Sequence, residues 1–559
     1  MATHRLQQSV DDAALSLLNQ IDRDPYSQLG GCCDRRFWGW KLVDFPDATL
    51  QRAVQPLAWM LTHAPGSFPV PDAAVADAVV RALTYLEAIQ HTDGSFDQAY
   101  PQEHSVAGTA FILDSAIVAM TVVEQISDPG TCQRIRHVFE RAAGFLCRQN
   151  ETHGAIANHV AGSILALLRA EQLLGRREYG VRAAALLDAL LATQSSEGWF
   201  PEYGGCDPGY LSLCVYYLAQ VATVRPSDRL RSSLERAVTF LSHFVHPDGT
   251  FGGVYGSRRT TVYYAGGIAL LAHTLPLAAR MTTEMLRAAE ERRLLGPGHS
   301  DIGNSVPVLA NYQLALDAMT RMSAGADVPL PYEAGRAVDF PEAGIYLRAS
   351  ASTWTIVGAS NGGTVAVWDR PSGRRIHDDG GWVAEASDHR WTTQVTMTRP
   401  VVESAPDRVR VVSQFHQMTQ PVPSVPAFVG LRLAGLALRC PAIGARVKRL
   451  LVRLLLTAGK AVDAQTERTI ALDDDEVVIR DALTGDRAFW RGLTQLGCGR
   501  PFSAIHMASA GYVVHVEQLP QLTTADLTVL ASVGALEVRV RVSGRQLRAQ
   551  RSPPGNPEP

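Results

Sequence analysis

The sequence lacks the features by which several classes of protein are recognised. Its 559 residues include eight cysteines, and no two of them have the spacing of a zinc site. The adjacent pair Cys32 and Cys33 is a poor start for a disulfide framework, so reduced thiols are expected. The sequence therefore predicts neither a metal ion nor another cofactor.

An excess of one charge and a long apolar run are also missing. The net charge is −3 at pH 7, which gives no support for a nucleic-acid partner. No run of about eighteen apolar residues indicates a membrane-spanning helix. The N-terminal segment has charged and polar residues throughout, unlike a signal peptide. A cytoplasmic location is the resulting expectation, and the oligomeric state is left open.

What the chain does contain is two regions of different periodicity. Residues 1–325 carry apolar residues at intervals of three and four, which is typical of helices. Residues 340–550 have short runs rich in Val, Ile, Thr and Trp, which predict an antiparallel β domain. We expect residues 326–339 to form a linker and the Pro-rich residues 551–559 to be a disordered tail.

The helical region repeats itself. An Ala-Gly pair at a predicted helix start recurs in HSVAGTAFIL, NHVAGSILAL and YYAGGIALLA, with the alanines at 107, 161 and 265. The steps are 54 and 104 residues, the second being twice 52, and GYLSLCVYYL lies where the missing copy is due. A glycine-containing turn precedes each copy. A period near fifty with two helices per unit predicts an (α/α) toroid of helical hairpins.

A toroid would bring the turn-to-helix junctions of separate repeats to one rim. In the third junction, Asp207 fits a helix N-cap and Pro208 the first helical position, so Tyr210 falls in the first turn. The side chains expected to converge on one cavity are those of His104, Asn158, His159, Tyr210, Tyr263 and Tyr264.

Two of these junctions resemble motifs of the heparinase II/III-like polysaccharide lyases and the related alginate and oligoalginate lyases. One is the pair Asn158-His159 at a helix start; the other is EGWFPEYGGCDPGYLSL, a Gly-aromatic turn followed by Glu202 and Tyr210. Asn158 and Tyr210 are 52 residues apart, about the interval of the family. FPEAGIYLRAS, residues 340–350, is similar to the family's entry strand. The resemblance implies an N-terminal toroid followed by an antiparallel β-sandwich-like domain.

The resemblance also implies β-elimination from a uronate-containing glycan. This reaction removes the proton at C5 and expels the sugar oxygen at C4, so the neighbouring carboxylate must be neutralised or strongly hydrogen-bonded. A tyrosine can serve as base, acid or both. The implied catalytic residues are Asn158 and His159, which hold the carboxylate, and Tyr210, which exchanges the proton. The residues expected to bind the glycan are His104, Glu202, Tyr203, Arg258, Arg259, Tyr263, Tyr264 and His377.

The sequence departs from the family pattern in one respect. The family carries an H-x-H-x-D motif at the start of its β domain, and here the nearest candidates are His377 and His389 in a different setting. This leaves open a non-catalytic or epimerising relative that acts in polysaccharide biosynthesis. A third reading is a terpenoid or prenyl-transfer enzyme, because QHTDGSF and QSSEGWF resemble the Q-x-x-x-G-x-aromatic repeats of those toroids. The helical region lacks the Asp cluster that their chemistry requires.

A basic segment interrupts the predicted β domain at residues 431–460. It holds seven Lys and Arg residues and no acidic residue. Residues 443–456 read as a basic amphipathic helix, which can cover a sheet face or lie on an anionic membrane surface. Covering the sheet is the favoured reading.

Overall fold

A computed structural model describes residues 2–151, 156–321, 328–387, 389–394, 400–418, 424–438, 460–473, 476–499, 520–543 and 547–552. The first part of the chain is helical and the second consists mainly of antiparallel strands. The helices of the first part, in chain order, are α1 Ala2–Leu18, α2 Arg35–Trp38, a 3₁₀ helix Ala48–Ala53, α3 Val54–His63, α4 Asp72–Ile89, α5 Val106–Ile126, α6 Pro129–Arg148, α7 Ala157–Leu174, α8 Arg177–Leu191, α9 Pro208–Val224, α10 Asp228–Ser242, α11 Ala265–Leu271, α12 Pro276–Glu290, α13 Ile302–Met319 and α14 Pro331–Ala334.

Alternate helices form an inner set. α5 packs against α7, α7 against α9, α9 against α11 and α11 against α13, and α13 also contacts α3. α5 and α9 are apolar and buried on most of their faces, whereas α6 and α10 have one apolar face and one polar face. This difference fits an inner position for α5 and α9 and an outer position for α6 and α10.

The turns between repeats share one construction. Gly94 and Gly198 have φ values of +96° and +105°, which only glycine adopts readily. The side chain of Gln90 donates to the carbonyl of Gly94 at 3.0 Å, and that of Gln194 donates to the carbonyl of Gly198 at 2.8 Å. Each glutamine also donates to a carbonyl of the following outer helix. The Q-x-x-x-G motif is therefore accounted for by the geometry of the turn.

α5 is also long and apolar enough, by length and composition, to cross a membrane. However, 83% of its most apolar 18-residue window is buried inside the protein. It contains Asp114, whose carboxylate pairs with Arg169 on α7 at 2.6 Å. The extensive burial and the interhelical ion pair identify α5 as a central helix of the helical part.

The second part of the chain forms two antiparallel sheets. The smaller sheet has the order β1 Val338–Phe340, β2 Ile345–Ala349, β3 Thr353–Gly358, β4 Thr364–Asp369 and β5 Arg375–Asp379. In the larger sheet the order is β12-β6-β7-β9-β10-β11-β13-β14, and β8 pairs with β9. Its strands are β6 Trp382–Ala386, β7 His389–Thr392, β8 Val401–Ala405, β9 Arg408–Gln417, β10 Ala461–Asp473, β11 Glu476–Gly485, β12 Gln495–Cys498, β13 Ala535–Val542 and β14 Leu547–Ser552.

The smaller sheet lies between the helices and the larger sheet. Leu347, Trp354 and Ile356 belong to the apolar core of the helical part, whereas Tyr346 and Val357 belong to the core shared with the larger sheet. Successive residues of a strand point to opposite faces, so both faces of this sheet are covered. That is why β3 is buried at every position. The predicted combination of helices with an antiparallel β domain is confirmed.

Two predicted boundaries need correction. Helix α14 lies within residues 326–339 and strand β1 begins there, so this segment is only partly a linker. A proline at the first position of α14 and Gly335 in the left-handed conformation after it account for the short helix. Strand β14 runs to Ser552 because it pairs with β13, so the end of the sheet extends two residues into the predicted tail at 551–559.

The predicted basic helix at 443–456 lies outside the described residues. The described helices of the second part are α15 Val425–Leu438, α16 Arg487–Arg491 and α17 Thr524–Val533. α15 exposes Phe428 and Leu433, and Arg432 pairs with Asp44 at 2.7 Å. Contact of residues 443–456 with a membrane stays a prediction.

Candidate active site

A buried aspartate joins two of the repeat junctions. Asp207 is the N-cap of α9, Pro208 occupies the first turn as predicted, and the backbone N–H of Tyr210 donates to Asp207 Oδ1 at 3.1 Å. The other carboxylate oxygen accepts from the backbone N–H of Arg258 at 3.0 Å. Asp207 therefore fixes the start of α9 against the loop that carries Arg258.

Asn158 is not the helix cap that its residue type would suit. α7 begins at Ala157 and Ile156 occupies the cap position. The Asn158 side chain is buried, and its Nδ2 donates to Glu202 Oε2 at 2.8 Å. The structure thus joins Asn158 to the junction that contains Tyr210.

Arg258 lies over two aromatic rings of the same junction. Its Cζ is 4.4 Å from the centroid of the Tyr203 ring and 5.0 Å from that of Tyr210. Its Nη1 is 3.9 Å from Glu202 Oε1. Asn158, Glu202, Tyr203, Tyr210 and Arg258, which we call the junction cluster, are thereby brought together from three repeats.

Glu202 is the one carboxyl group of the junction cluster, and its pKa is strongly shifted. Burial raises its pKa to about 8, against the opposing effects of Arg258 and of the Asn158 hydrogen bond. Its Oε1 atom is buried and accepts or donates no hydrogen bond within the described part of the chain. A neutral carboxyl group in this position can donate a hydrogen bond to an incoming anion.

Tyr210 rests as a phenol. Burial raises its pKa well above the ordinary range, and the nearby charge of Arg258 only partly opposes this. Tyr264, the N-cap residue of α11, lies close enough for its charge to affect the pKa of Tyr210, and burial raises its own pKa to about 12. Both tyrosines are therefore protonated near neutral pH.

His159 points away from its neighbour Asn158. Its Nδ1 contacts Glu151 Oε2 at 2.9 Å, and its ring meets the edge of Phe111 at 5.7 Å between centroids. Successive helical residues project about 100° apart, so the two side chains have different partners, and their joint role in holding a carboxylate stays a prediction. A histidine oriented by a carboxylate on Nδ1 has Nε2 available as a base.

Four of the residues predicted to bind substrate are held elsewhere. Tyr263 is 1% exposed and packs on Phe251, because the helix start turns Tyr263 into the helical core. His104 Nδ1 contacts Asp93 at 2.9 Å and serves the turn before α5. The other two, Arg259 and His377, belong to contacts of the β domain.

Arg259 and His377 are parts of the β-domain packing. Arg259 Nη2 donates to the carbonyl of Gln394 at 2.6 Å, and burial lowers the pKa of Arg259 to about 10. His377 is opposite Val367 in the smaller sheet, which directs it into the core between the sheets. Its Nε2 is 3.7 Å from Asp379 Oδ2. Their predicted role in binding a glycan is not supported by these positions.

Two side chains near the cluster were not predicted. Glu151 precedes α7 in the turn NETHGAI, where nothing in the sequence pairs it with His159. Arg52 lies on the 3₁₀ helix before α3, outside the Ala-Gly repeats, and its Cζ is 5.1 Å from the centroid of Phe111. Only their positions in space relate them to the junction cluster.

The fold is one that polysaccharide lyases use. The structure is similar to chondroitin AC lyase of Streptomyces coelicolor A3 in complex with chondroitin sulphate, with a TM-score of 0.54 and 10% identity over 89% of this chain and 68% of that chain. A tyrosine-to-alanine mutant of that enzyme matches with a TM-score of 0.51, 10% identity and the same coverage.

In sequence, the helical part of the chain is similar to one family of lyase domains. Residues 52–295 match the family model of the ulvan lyase N-terminal domain, a range that includes the whole junction cluster. No curated protein matches the chain in sequence. The predicted resemblance to polysaccharide lyases is confirmed.

Proposed function

We propose that this chain is a polysaccharide lyase that cleaves a uronate-containing glycan by β-elimination. The observation that carries the proposal is the junction cluster, in which an amide, a neutral carboxyl, a cation and a phenol meet. The family match of residues 52–295 supports the class of reaction. The Q-x-x-x-G motif no longer supports the terpenoid alternative, because Gln90 and Gln194 have a structural role in the turns.

We also infer that the helices close into an (α/α) toroid. The inner helices contact one another in the order α3, α5, α7, α9, α11 and α13, and α13 returns to α3. A ring closed in this way places the starts of α7, α9 and α11 around one opening. This arrangement accounts for the meeting of Asn158, Tyr210 and Arg258 despite their separation in sequence.

The junction cluster can neutralise the uronate carboxylate. Asn158 Nδ2 and the protonated Glu202 carboxyl are hydrogen-bond donors, and Arg258 supplies a positive charge. Stabilising the negative charge that develops as the C5 proton leaves lowers the barrier to elimination. The unused hydrogen-bonding capacity of Glu202 Oε1 gives the substrate carboxylate a place to bind.

The two proton transfers are assigned to different residues. Tyr210 is a phenol in the resting protein, which suits donation of a proton to the leaving oxygen at C4. His159 takes the C5 proton through Nε2, and Glu151 holds its ring and stabilises the imidazolium. The electron pair of the C5–H bond forms the C4–C5 double bond as the C4–O bond breaks.

The direct test is a panel of chondroitin sulfate, heparan sulfate, ulvan and alginate, followed by ultraviolet absorbance. Elimination creates a conjugated unsaturated uronate, so absorbance should rise with at least one polymer. Exchange of the C5 hydrogen in deuterated water without absorbance would indicate the epimerising alternative instead. Neither signal with any polymer would contradict both readings.

The pH dependence tests the neutral form of Glu202. Its unfolded-state pKa is near 4.5 and its folded-state pKa is about 8, so the folded protein keeps a proton that the unfolded chain has lost. The stability that this group contributes is therefore fully present below pH 4.5 and is lost as the pH rises through about 8. Substrate binding should follow the same neutral form, with KM rising about tenfold per pH unit above pH 8.

Glu202→Gln keeps a neutral group of the same shape and should remove the alkaline rise in KM. The matched control is Glu235→Gln, which changes an exposed carboxylate on α10 and should leave the profile as in the wild type. Steady-state kinetics from pH 6 to about 9.5 measure both variants. An unchanged alkaline rise in Glu202→Gln would assign it to another group.

A further inference from the structure

Arg52 is a half-buried cation without an ion-pair partner among the described residues. The residue is half-buried, and its Nε atom has no hydrogen-bond partner in the described part of the protein. Its guanidinium lies 5.1 Å from the centroid of the Phe111 ring, and among the described residues no carboxylate is within ion-pair distance of it. Keeping a charge partly out of water without such a partner is costly, so the position requires a reason.

The neighbouring carboxylate is already in use. Asp114, on α5 one turn after Phe111, lowers its energy by pairing with Arg169 at 2.6 Å. Arg52 affects the pKa of Asp114 by its charge alone. Among the described residues, no group accepts a hydrogen bond from Arg52 Nε.

A single aromatic ring, that of Phe111, lies between Arg52 and His159 of the proposed active site. Phe111 stacks on Tyr217 with centroids 5.5 Å apart and planes at 6°, and the same Phe111 meets the ring of His159 edge-on. A Cβ at Gly162 would lie 2.6 Å from a ring atom of Phe111, so this glycine of the Ala-Gly repeat makes room for the stack. Apolar rings beside a cation strengthen its attraction for an anion because they exclude water.

The charge of Arg52 also affects the pKa of two tyrosines near the site. It lowers the pKa of Tyr264 and Tyr217 against the effect of their burial. Tyr264 in turn is close enough to Tyr210 to affect its pKa. Arg52 and Arg258 are thus two separate positive charges around the residues that would perform the chemistry.

We propose that Arg52, set against Phe111 and Tyr217, binds a second acidic group of the substrate, on the sugar next to the uronate held by Asn158 and Glu202. The group is a sulfate ester or a carboxylate, since a guanidinium binds either with two parallel hydrogen bonds. The inference rests on the proposed function, because it takes the glycan to lie across the junction cluster. It would make the protein selective for glycans with acidic groups on adjacent sugars.

Isothermal titration calorimetry with three tetrasaccharides tests the subsite. They are a chondroitin sulfate tetrasaccharide, its desulfated counterpart and a tetrauronate from alginate. Arg52→Gln should raise the Kd of an acidic ligand about tenfold or more, as expected for a lost charge-assisted hydrogen bond. The Kd of the desulfated ligand should change less than about twofold by the same reasoning. The ligand whose affinity falls, the sulfated tetrasaccharide or the tetrauronate, shows whether the second acidic group is a sulfate ester or a carboxylate.

Two further variants complete the experiment. Arg52→Lys keeps the charge without the planar fork and should recover part of the affinity. Arg229→Gln removes an exposed cation that pairs with Asp188 and should change no Kd. Thermal unfolding checks that each variant is folded. If Arg52→Gln is unfolded, Arg52→Lys still tests the subsite, because it should lose affinity only for the ligands with acidic groups on adjacent sugars.

The proposal would be overturned if Arg52→Gln lost as much affinity for the desulfated ligand as for the two ligands with acidic groups on adjacent sugars. It would also be overturned by no loss of affinity for any ligand, or by no binding to the protein that retains Arg52. The Kd values are measured in the Tyr210→Phe background, in which elimination is about a thousandfold slower, so the result does not depend on turnover. Elimination without an effect of Arg52 would leave the lyase proposal and refute the subsite. Binding of the acidic ligands that depends on Arg52, without elimination by the wild type, would do the opposite.

Discussion

Replacing Tyr210 by phenylalanine is expected to lower kcat by about three orders of magnitude, the loss typical of removing a general acid. The change deletes only the hydroxyl, so the ring remains under Arg258 and its cation–π contact at 5.0 Å is kept. KM should therefore change little. Steady-state kinetics on the polymer that gives the strongest ultraviolet signal provide both constants.

Tyr263→Phe is the matched control for this variant. Tyr263 lies just before the repeat helix α11, as Tyr210 lies in the first turn of α9, but Tyr263 is buried and its hydroxyl has no hydrogen-bond partner in the described structure. Its removal should leave kcat unchanged and stabilise the fold slightly, because an unsatisfied polar group is lost. If Tyr210→Phe also kept full kcat, Tyr210 would be a packing residue and the acid would have to be sought elsewhere.

Asn158→Ala is expected to lower kcat by about a hundredfold, the usual cost of removing one preorganised donor to a developing negative charge. The same change removes the hydrogen bond that lowers the pKa of Glu202. The alkaline rise in KM should therefore move to higher pH in this variant. A residue that only packs would not produce this shift, so the pH profile separates a chemical role from a structural one.

Asn150→Ala is a suitable comparison for Asn158→Ala. Asn150 is an exposed amide that precedes the same helix, and it accepts a hydrogen bond from Arg182 at 2.5 Å. Its loss should leave kcat and the pH profile as they are. An unshifted alkaline rise in Asn158→Ala, with a lowered kcat, would mean that Glu202 does not bind the substrate carboxylate.

The absent H-x-H-x-D motif is compatible with this assignment. Glu202, Asn158 and Arg258 all come from the helical part, so the carboxylate would be neutralised without a histidine of the β domain. His377, the nearest candidate in sequence, contacts Asp379, whose carboxylate is 3.0 Å from Arg468. The β domain instead holds the loop of Arg258 in place: Asn361 Nδ2 donates to the carbonyls of Val254 at 2.9 Å and Gly256 at 2.7 Å.

Much of this organisation could be predicted from local patterns. The period near fifty located the starts of α5, α7, α9 and α11, because a glycine-containing turn precedes each start and an Ala-Gly pair follows in three of the four. The Asp207-Pro208 pair placed Tyr210 in a first helical turn for the same local reason. The change from helical to alternating periodicity marked where the strands begin.

The direction of each side chain could not be predicted in this way. Consecutive residues at a helix start point about 100° apart, so the repeat could not decide that Asn158 meets Glu202 while His159 meets Glu151, or that Tyr263 turns into the core. Which residues meet depends on contacts between repeats.

The sequence by itself determined the repeated helices, the antiparallel strands, the junctions and the position of Tyr210, because short-range hydrogen bonding and apolar periodicity specify them. Only the tertiary structure decided that burial raises the pKa of Glu202, that Arg259 and His377 belong to the packing, and that Arg52 lies against Phe111. Burial and the field of distant charges set these properties, and both arise from residues far apart in the chain that packing brings together.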